Sequence, residues 1–189
     1  PPRSTLFPYT TLFRSFYPGP GIGGHCIPLD PYYLAWKTRE YDYHTKLIET
    51  SGIINDSMPD YVVERSRKIL NRFKKAMNGS RILVLGVAYK QDIDDIRQSP
   101  ALKVIQGLEK EDCIVDYYDP YVKEYEYKGD KKESIKELNK EVLQSADLVI
   151  ITTAHTNVDY EFVQANSKFI FDTKNAMKHV KCRDNIELL

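Results

Sequence analysis

The sequence has little cysteine, no surplus of either charge and no long apolar run, and each shortage removes a class of protein. Cys26, Cys113 and Cys182 are odd in number and far apart, and no CxxC pair occurs. They indicate neither a disulfide framework nor a zinc site. Free thiols suit a reducing cytoplasm, the compartment expected here. The 27 basic and 27 acidic side chains cancel. The excess of Lys and Arg that a nucleic-acid surface needs is therefore missing. No run of about 18 apolar residues exists to span a bilayer, and no signal peptide is visible. Internal repeats and low-complexity tracts are also missing.

What is present is enough for a packed core. The chain has 189 residues, 42% of them apolar and 29% charged, which allows one large domain or one domain with an appendage. Residues 1–15 (PPRSTLFPYTTLFRS) lack any acidic residue and any helical period, and are expected to be a non-native leader outside the fold. A Gly/Pro loop, FYPGPGIGGHCIP, follows over 16–28. Asp30 before Pro31 predicts a helix N-cap with proline at the first helical position. The spacing of Tyr33, Leu34, Trp36 and Lys37 predicts a helix over 31–41. A second is expected over 45–55 and a third from Pro59 to about Met77, stopped by Asn78 and Gly79.

The period then changes. RILVLGV (81–87), CIVDYY (113–118), DLVIITT (147–153) and KFIFD (168–172) predict four strands, with helices from Pro100, over 134–145 and over 160–166. The charged, tyrosine-rich stretch 121–133 predicts an exposed loop, and no element is expected after the fourth strand. Alternating strands and helices imply an α/β fold with a parallel sheet. The expected division is 16–79, a loop plus helical segment, and 80–189, a Rossmann-like domain.

The loop contains the string G-x-G-x-x-G at Gly19, Gly21 and Gly24. A dinucleotide fingerprint needs a strand before it and a helix opening at its third glycine. Prolines flank Gly19 and no apolar strand precedes it, so the loop is instead expected to bring bare backbone close to a ligand. Cys26 lies just before a predicted helix, where an N-terminus favours the nucleophilic thiolate. Asp30 is near enough to share its pocket. A small buried cysteine and a plain helix cap remain equally open on the residues alone. His25, adjacent to Cys26, is expected to point away from it. His155, ending a strand, is open between a site-lining and a structural role. Cys113 and Cys182 are expected to be inert. Asp92, Asp94 and Asp95 are expected to form a solvated loop, since a hard-ion site needs more converging oxygens; no metal is expected.

Several long strings stand in one order: GPGIGGHCIPLDPYYLAWK, then LGVAYKQDIDDIRQSPAL, VDYYDPYV, ADLVIITTAH and FIFDTKNA. Together they resemble the UDP-glucose/GDP-mannose dehydrogenase family, and the GGHC form looks most like its UDP-N-acetylglucosamine 6-dehydrogenase branch. The resemblance implies NAD as cofactor and a four-electron oxidation of a UDP-sugar C6 alcohol to a uronic acid. Cys26 is implied as the nucleophile that holds the intermediate aldehyde, and Asp30 as the group that activates water and shuttles protons. Tyr17, Gly23, Gly24, Tyr89, Lys90 and Lys174 are implied at the UDP-sugar, and Arg97 at NAD. Lys174 stands where the family often has arginine, and a lysine lacks the bidentate fork. The helical segment is implied to form a homodimer, and 80–189 to bind UDP, with its last strand expected to be truncated or frayed. The family's N-terminal NAD domain has no counterpart in these 189 residues, so the chain is expected to be inactive by itself. The alternative is a UDP-sugar-binding or oligomerisation module without catalysis.

Overall fold

The computed structural model describes residues 17–189. The expected leader, 1–15, lies outside the described residues. The order of elements is α1 (Asp30–Thr38), a 3-10 turn (Arg39–Tyr41), α2 (Lys46–Arg72), β1 (Arg81–Leu85), α3 (Pro100–Lys110), β2 (Ile114–Tyr118), β3 (Glu124–Tyr127), β4 (Asp130–Glu133), α4 (Lys140–Ser145), β5 (Leu148–Ile151), α5 (Tyr160–Asn166), β6 (Ile170–Asp172), a second 3-10 turn (Ala176–His179) and β7 (Ile186–Leu188).

The main sheet has five strands in the order β2-β1-β5-β6-β7, all parallel. Side chains alternate between its faces. Ile82, Val84, Val115, Tyr117, Leu148, Ile150 and Phe171 point to one face and meet Val62, Ile69 and Leu70 of α2 and Leu102, Ile105 and Leu108 of α3. Leu83, Leu85, Val149, Ile151 and Ile170 point to the other, against Leu143 of α4 and Val163 of α5. The result is an α/β layered fold with helices on both faces. From β1 the chain steps to β2 on one side, then crosses to β5 on the other. The carboxyl ends of β1 and β5 therefore form the switch point at which open parallel sheets place ligands.

Several expectations are corrected. Two helices over 45–55 and 59–77 are one, α2, with Pro59 inside it. Proline denies an amide proton to the carbonyl of Asn55, yet the helix continues because Pro59 is buried and its flanks pack on α3. The helix stops at Arg72, not near Met77, because Lys74 turns left-handed with φ 58°. Its amide donates to Asn71 O, and Lys75 N to Leu70 O. Residues 121–133 are not simply a loop: β3 and β4 pair antiparallel as a hairpin, with Tyr125 buried. The helix expected over 134–145 shrinks to α4. Ser134 is engaged with Asp119, and Asn139 instead caps the helix by accepting from Val142 N. The chain end supplies a further strand, β7, fastened to α2 by Glu187, which receives both Arg65 and Arg72.

Candidate active site

The glycine loop is held from three sides. Asn55 Oδ1, on α2, accepts from Ile22 N at 2.7 Å. Gly24 N donates to Arg97 O at 3.0 Å. The third contact is Tyr89, which follows β1. A Cβ at Gly23 would lie 2.6 Å from Tyr89 Cβ, and one at Gly24 would lie 2.9 Å from Tyr89 Cε2. Gly24 also has φ 100°, which L side chains rarely adopt. Gly23 is therefore required by close approach and Gly24 by its backbone conformation.

Beyond the loop, Cys26 is exposed. Its carbonyl accepts from Leu29 N at 3.0 Å and Asp30 N at 2.8 Å, forming the turn that enters α1. Asp30 is the first residue of that helix and not its cap. The capping position is Leu29, with no side-chain cap bond. The exposed carboxylate of Asp30 makes no hydrogen bond among the described residues, so Cys26 and Asp30 present a thiol and a free carboxylate on one turn. His25 does not point away as expected: its Nδ1 lies 3.7 Å from Cys26 Sγ.

Arg97 is fixed by Asp95, two residues before it. Asp95 accepts from Arg97 Nε at 2.9 Å, from Nη2 at 2.6 Å and from the backbone N at 2.9 Å. The guanidinium holds the Asp95 carboxyl below its ordinary range, and Asp95 in turn raises Arg97. Asp92 is likewise engaged, accepting from Thr156 N at 2.9 Å and Thr156 Oγ1 at 3.0 Å. Within the expected solvated loop, Asp92 and Asp95 are thus fixed in turns while Asp94 is exposed, and no group of three or more His, Cys, Asp and Glu among the described residues could hold a metal ion.

The remaining sequence-derived residues are less gathered. Lys90 is exposed and unpaired among the described residues. Lys174 lies along Gly19, where an added Cβ would sit 2.8 Å from Nζ. Burial lowers its pKa, and Nζ has no partner among the described residues, leaving a half-buried amine beside the loop. Tyr17 is 88% exposed and is not brought to the cluster. Between the loop, α1 and α2 runs a groove of about 350 Å³ lined by Ile22, Ile27, Tyr32, Leu47, Ile48 and Asn55. The structure thus joins Cys26, Asp30, Gly23, Gly24, Tyr89 and Arg97. It adds Asn55 and Asp95, which sequence reasoning missed. The Asp-x-Arg spacing at 95–97 was the available signal for Asp95. Asn55, distant in sequence, left none.

Comparison with known proteins gives a consistent result. Residues 83–179 match the model of the UDP-glucose/GDP-mannose dehydrogenase family, UDP binding domain, and residues 9–57 match that family's central domain. A UDP-N-acetyl-D-mannosamine dehydrogenase of Methanocaldococcus jannaschii is 36% identical over 168 residues, covering 85% of this chain and 36% of the relative. A UDP-N-acetyl-D-glucosamine 6-dehydrogenase of Salmonella typhi is 40% identical over 112 residues, covering 58% of this chain and 26% of the relative. Among solved structures, the UDP-D-ManNAc dehydrogenase of Pyrococcus horikoshii superimposes with TM-score 0.75 at 29% identity, over 98% of this chain and 43% of that one. The chain spans roughly a third of the length of the curated relatives it matches.

Proposed function

Because the chain belongs to the UDP-glucose/GDP-mannose dehydrogenase family, we propose that it carries the covalent-catalysis and UDP-binding part of an enzyme that oxidises the C6 alcohol of a UDP-N-acetylhexosamine to the uronic acid. One observation carries this: Cys26 is exposed at the mouth of a glycine loop that Tyr89 and Arg97 hold against the switch point of a parallel sheet.

The proposed chemistry follows from that placement. The bare backbone at Gly23 and Gly24 admits the sugar, while Lys90 and the half-buried Lys174 offer N–H donors to the diphosphate. The Cys26 thiol adds across the C6 aldehyde, sulfur to carbon and its proton to the carbonyl oxygen, to give a thiohemiacetal. Covalent capture keeps the aldehyde in place between two oxidations. After the second oxidation the carbon is a thioester. Water, oriented by Asp30, attacks it, releasing the acid and returning the proton to sulfur.

NAD+, when bound, accepts a hydride in each oxidation. Arg97 is the residue of this chain proposed to meet it, since its guanidinium is exposed and already oriented by Asp95. At the Gly86 turn after β1 a Cβ would lie 2.5 Å from Thr153 Cβ and 2.6 Å from Thr153 O, so the turn is packed close to the residues that follow β5.

The GGHC string favours UDP-GlcNAc as the sugar. The names of relatives that cover more of the chain favour UDP-ManNAc as the second reading. In the complete enzyme, Cys26→Ala should abolish uronic acid formation, and wild type should turn over UDP-GlcNAc faster than UDP-ManNAc at equal concentration. Normal acid production by the mutant would remove Cys26 from the mechanism, and the reverse preference would establish the second sugar. A reducing cytoplasm is the proposed setting. All three cysteines are free, and no helix among the described residues is long and apolar enough to cross a membrane.

A further inference from the structure

His155 follows β5 at the ligand end of the sheet, yet it is 0% exposed. Its Nδ1 accepts from the backbone N–H of Asp92 at 2.9 Å. That bond leaves the proton on Nε2, which donates to Asp119 Oδ2 at 3.1 Å. The same Asp119 oxygen accepts from Val87 N at 2.7 Å and Ala88 N at 3.1 Å. Its other oxygen accepts from Tyr121 N at 2.9 Å and Val122 N at 3.0 Å. Burial alone would raise the Asp119 carboxyl, but His155 and these amides hold it below its ordinary value.

The two side chains therefore grip one turn at both ends. Asp119 holds residues 87 and 88, His155 holds residue 92, and Tyr89 and Lys90 lie between the two grips. The Tyr121 ring lies against the imidazole with centroids 5.1 Å apart. A neutral imidazole can accept from an amide on one nitrogen while donating to a carboxylate on the other. Lys90, by contrast, is free among the described residues, so the position of its side chain is governed by the backbone that carries it.

We propose that His155, with Asp119, is a positioning residue that holds the Tyr89–Lys90 turn where Lys90 meets the diphosphate of the UDP-sugar. It acts through Lys90 and touches no substrate itself. The inference rests on the reading of Lys90 as a substrate contact. The experiment is a double-mutant cycle for UDP binding by the 189-residue chain, measured calorimetrically. Lys90→Ala should weaken UDP about tenfold, the loss of one charge-assisted contact. His155→Phe, which keeps the bulk but not the hydrogen bonds, should weaken it comparably. The double variant should bind no more weakly than Lys90→Ala alone, which a general loss of structure would not produce. UDP affinity unchanged in a folded His155→Phe, or losses that add, would overturn the proposal. No UDP binding by wild type, or an unchanged Kd in Lys90→Ala, would instead overturn the reading of Lys90 beneath it. If His155→Phe does not fold, Asp119→Asn keeps the size and one acceptor oxygen, and the same non-additivity with Lys90→Ala is expected, additivity being the overturning result.

Discussion

Asn55 holds Ile22: the side-chain Oδ1 of a helix residue accepts the backbone N–H of a loop residue 33 positions earlier, at 2.7 Å. This bond fastens the glycine loop, and with it Cys26, to the long helix α2. Pro59 supplies no amide proton to the Asn55 carbonyl, and the Asn55 backbone oxygen lies against Gly21, 3.5 Å from where a Cβ would be. Asn55→Ala should cost about 1 kcal/mol, the usual worth of one such bond. Hydrogen exchange should show the Ile22 and Gly24 amides about tenfold less protected, with β1 unchanged. Equal protection in mutant and wild type would show that the loop stands without this tether.

A second prediction concerns acid stability at the opposite end of the sheet. Asp147, 7% exposed, accepts from Lys75 at 2.6 Å, Lys168 at 3.1 Å and Arg81 N at 3.0 Å. Burial would raise its pKa, but these three partners lower it to about 2. A carboxyl whose folded pKa is depressed stabilises the fold above its unfolded value, near 3.9, and loses that contribution as pH falls toward the folded value. Stability from Asp147 should therefore be complete above about pH 4 and fade between about pH 4 and 2. Both lysines are about half exposed, so solvent screening limits the expected contribution to about 1–2 kcal/mol. Asp147→Asn should lower the urea midpoint at neutral pH and flatten its fall through that window. Parallel pH profiles for mutant and wild type would refute the assignment.

Much of the sheet could be read from the chain because it obeys local rules. Short apolar runs closed by Gly86, Asp119 and Thr152 mark β1, β2 and β5, and Pro100 opens α3 with its apolar face at helical spacing. What escaped depends on partners far along the chain. The β3–β4 hairpin looked like a loop because most of its residues are charged, although Glu124, Tyr125, Glu126 and Tyr127 alternate with period two. β7 is three residues long and exists through pairing with β6 and the two arginines on Glu187. The site divides in the same way. Cys26 and the glycines stand in one string, and Asp95 lies two residues from Arg97, whereas the Asn55 and His155 contacts belong to the folded chain.

The third prediction addresses assembly. Leu34, Trp36, Leu47, Ile53 and Ile54 of α1 and α2 are more than half exposed. That apolar face extends beyond what α1 and α2 cover in each other, and such patches mark interaction sites. A homodimer through this face is the proposed partner arrangement. Sedimentation at micromolar concentration should give twice the chain mass, and Trp36→Glu with Leu47→Glu should return it to the monomer. A wild-type monomer under those conditions would remove the dimer.

The last prediction separates binding from turnover in the 189-residue chain. The proposed binding draws on the Gly23–Gly24 backbone under Tyr89, the Lys90 turn and the half-buried Lys174. Turnover needs a nicotinamide held in line with the sugar C6, and a displacement of about 1 Å can already cost two orders of magnitude in rate. Among the described residues Arg97 alone is proposed to meet NAD. A single guanidinium fixes one end of a contact and cannot orient a ring. The chain should therefore bind UDP weakly by calorimetry while forming no NADH from NAD+ and UDP-GlcNAc or UDP-ManNAc. Cys26 should remain open to alkylation by iodoacetamide, since its thiol is exposed, and bound UDP-sugar should slow that reaction. NADH formation that depends on added UDP-sugar would show that these residues seat the cofactor themselves. Alkylation at the same rate with and without a saturating UDP-sugar would place the sugar away from Cys26.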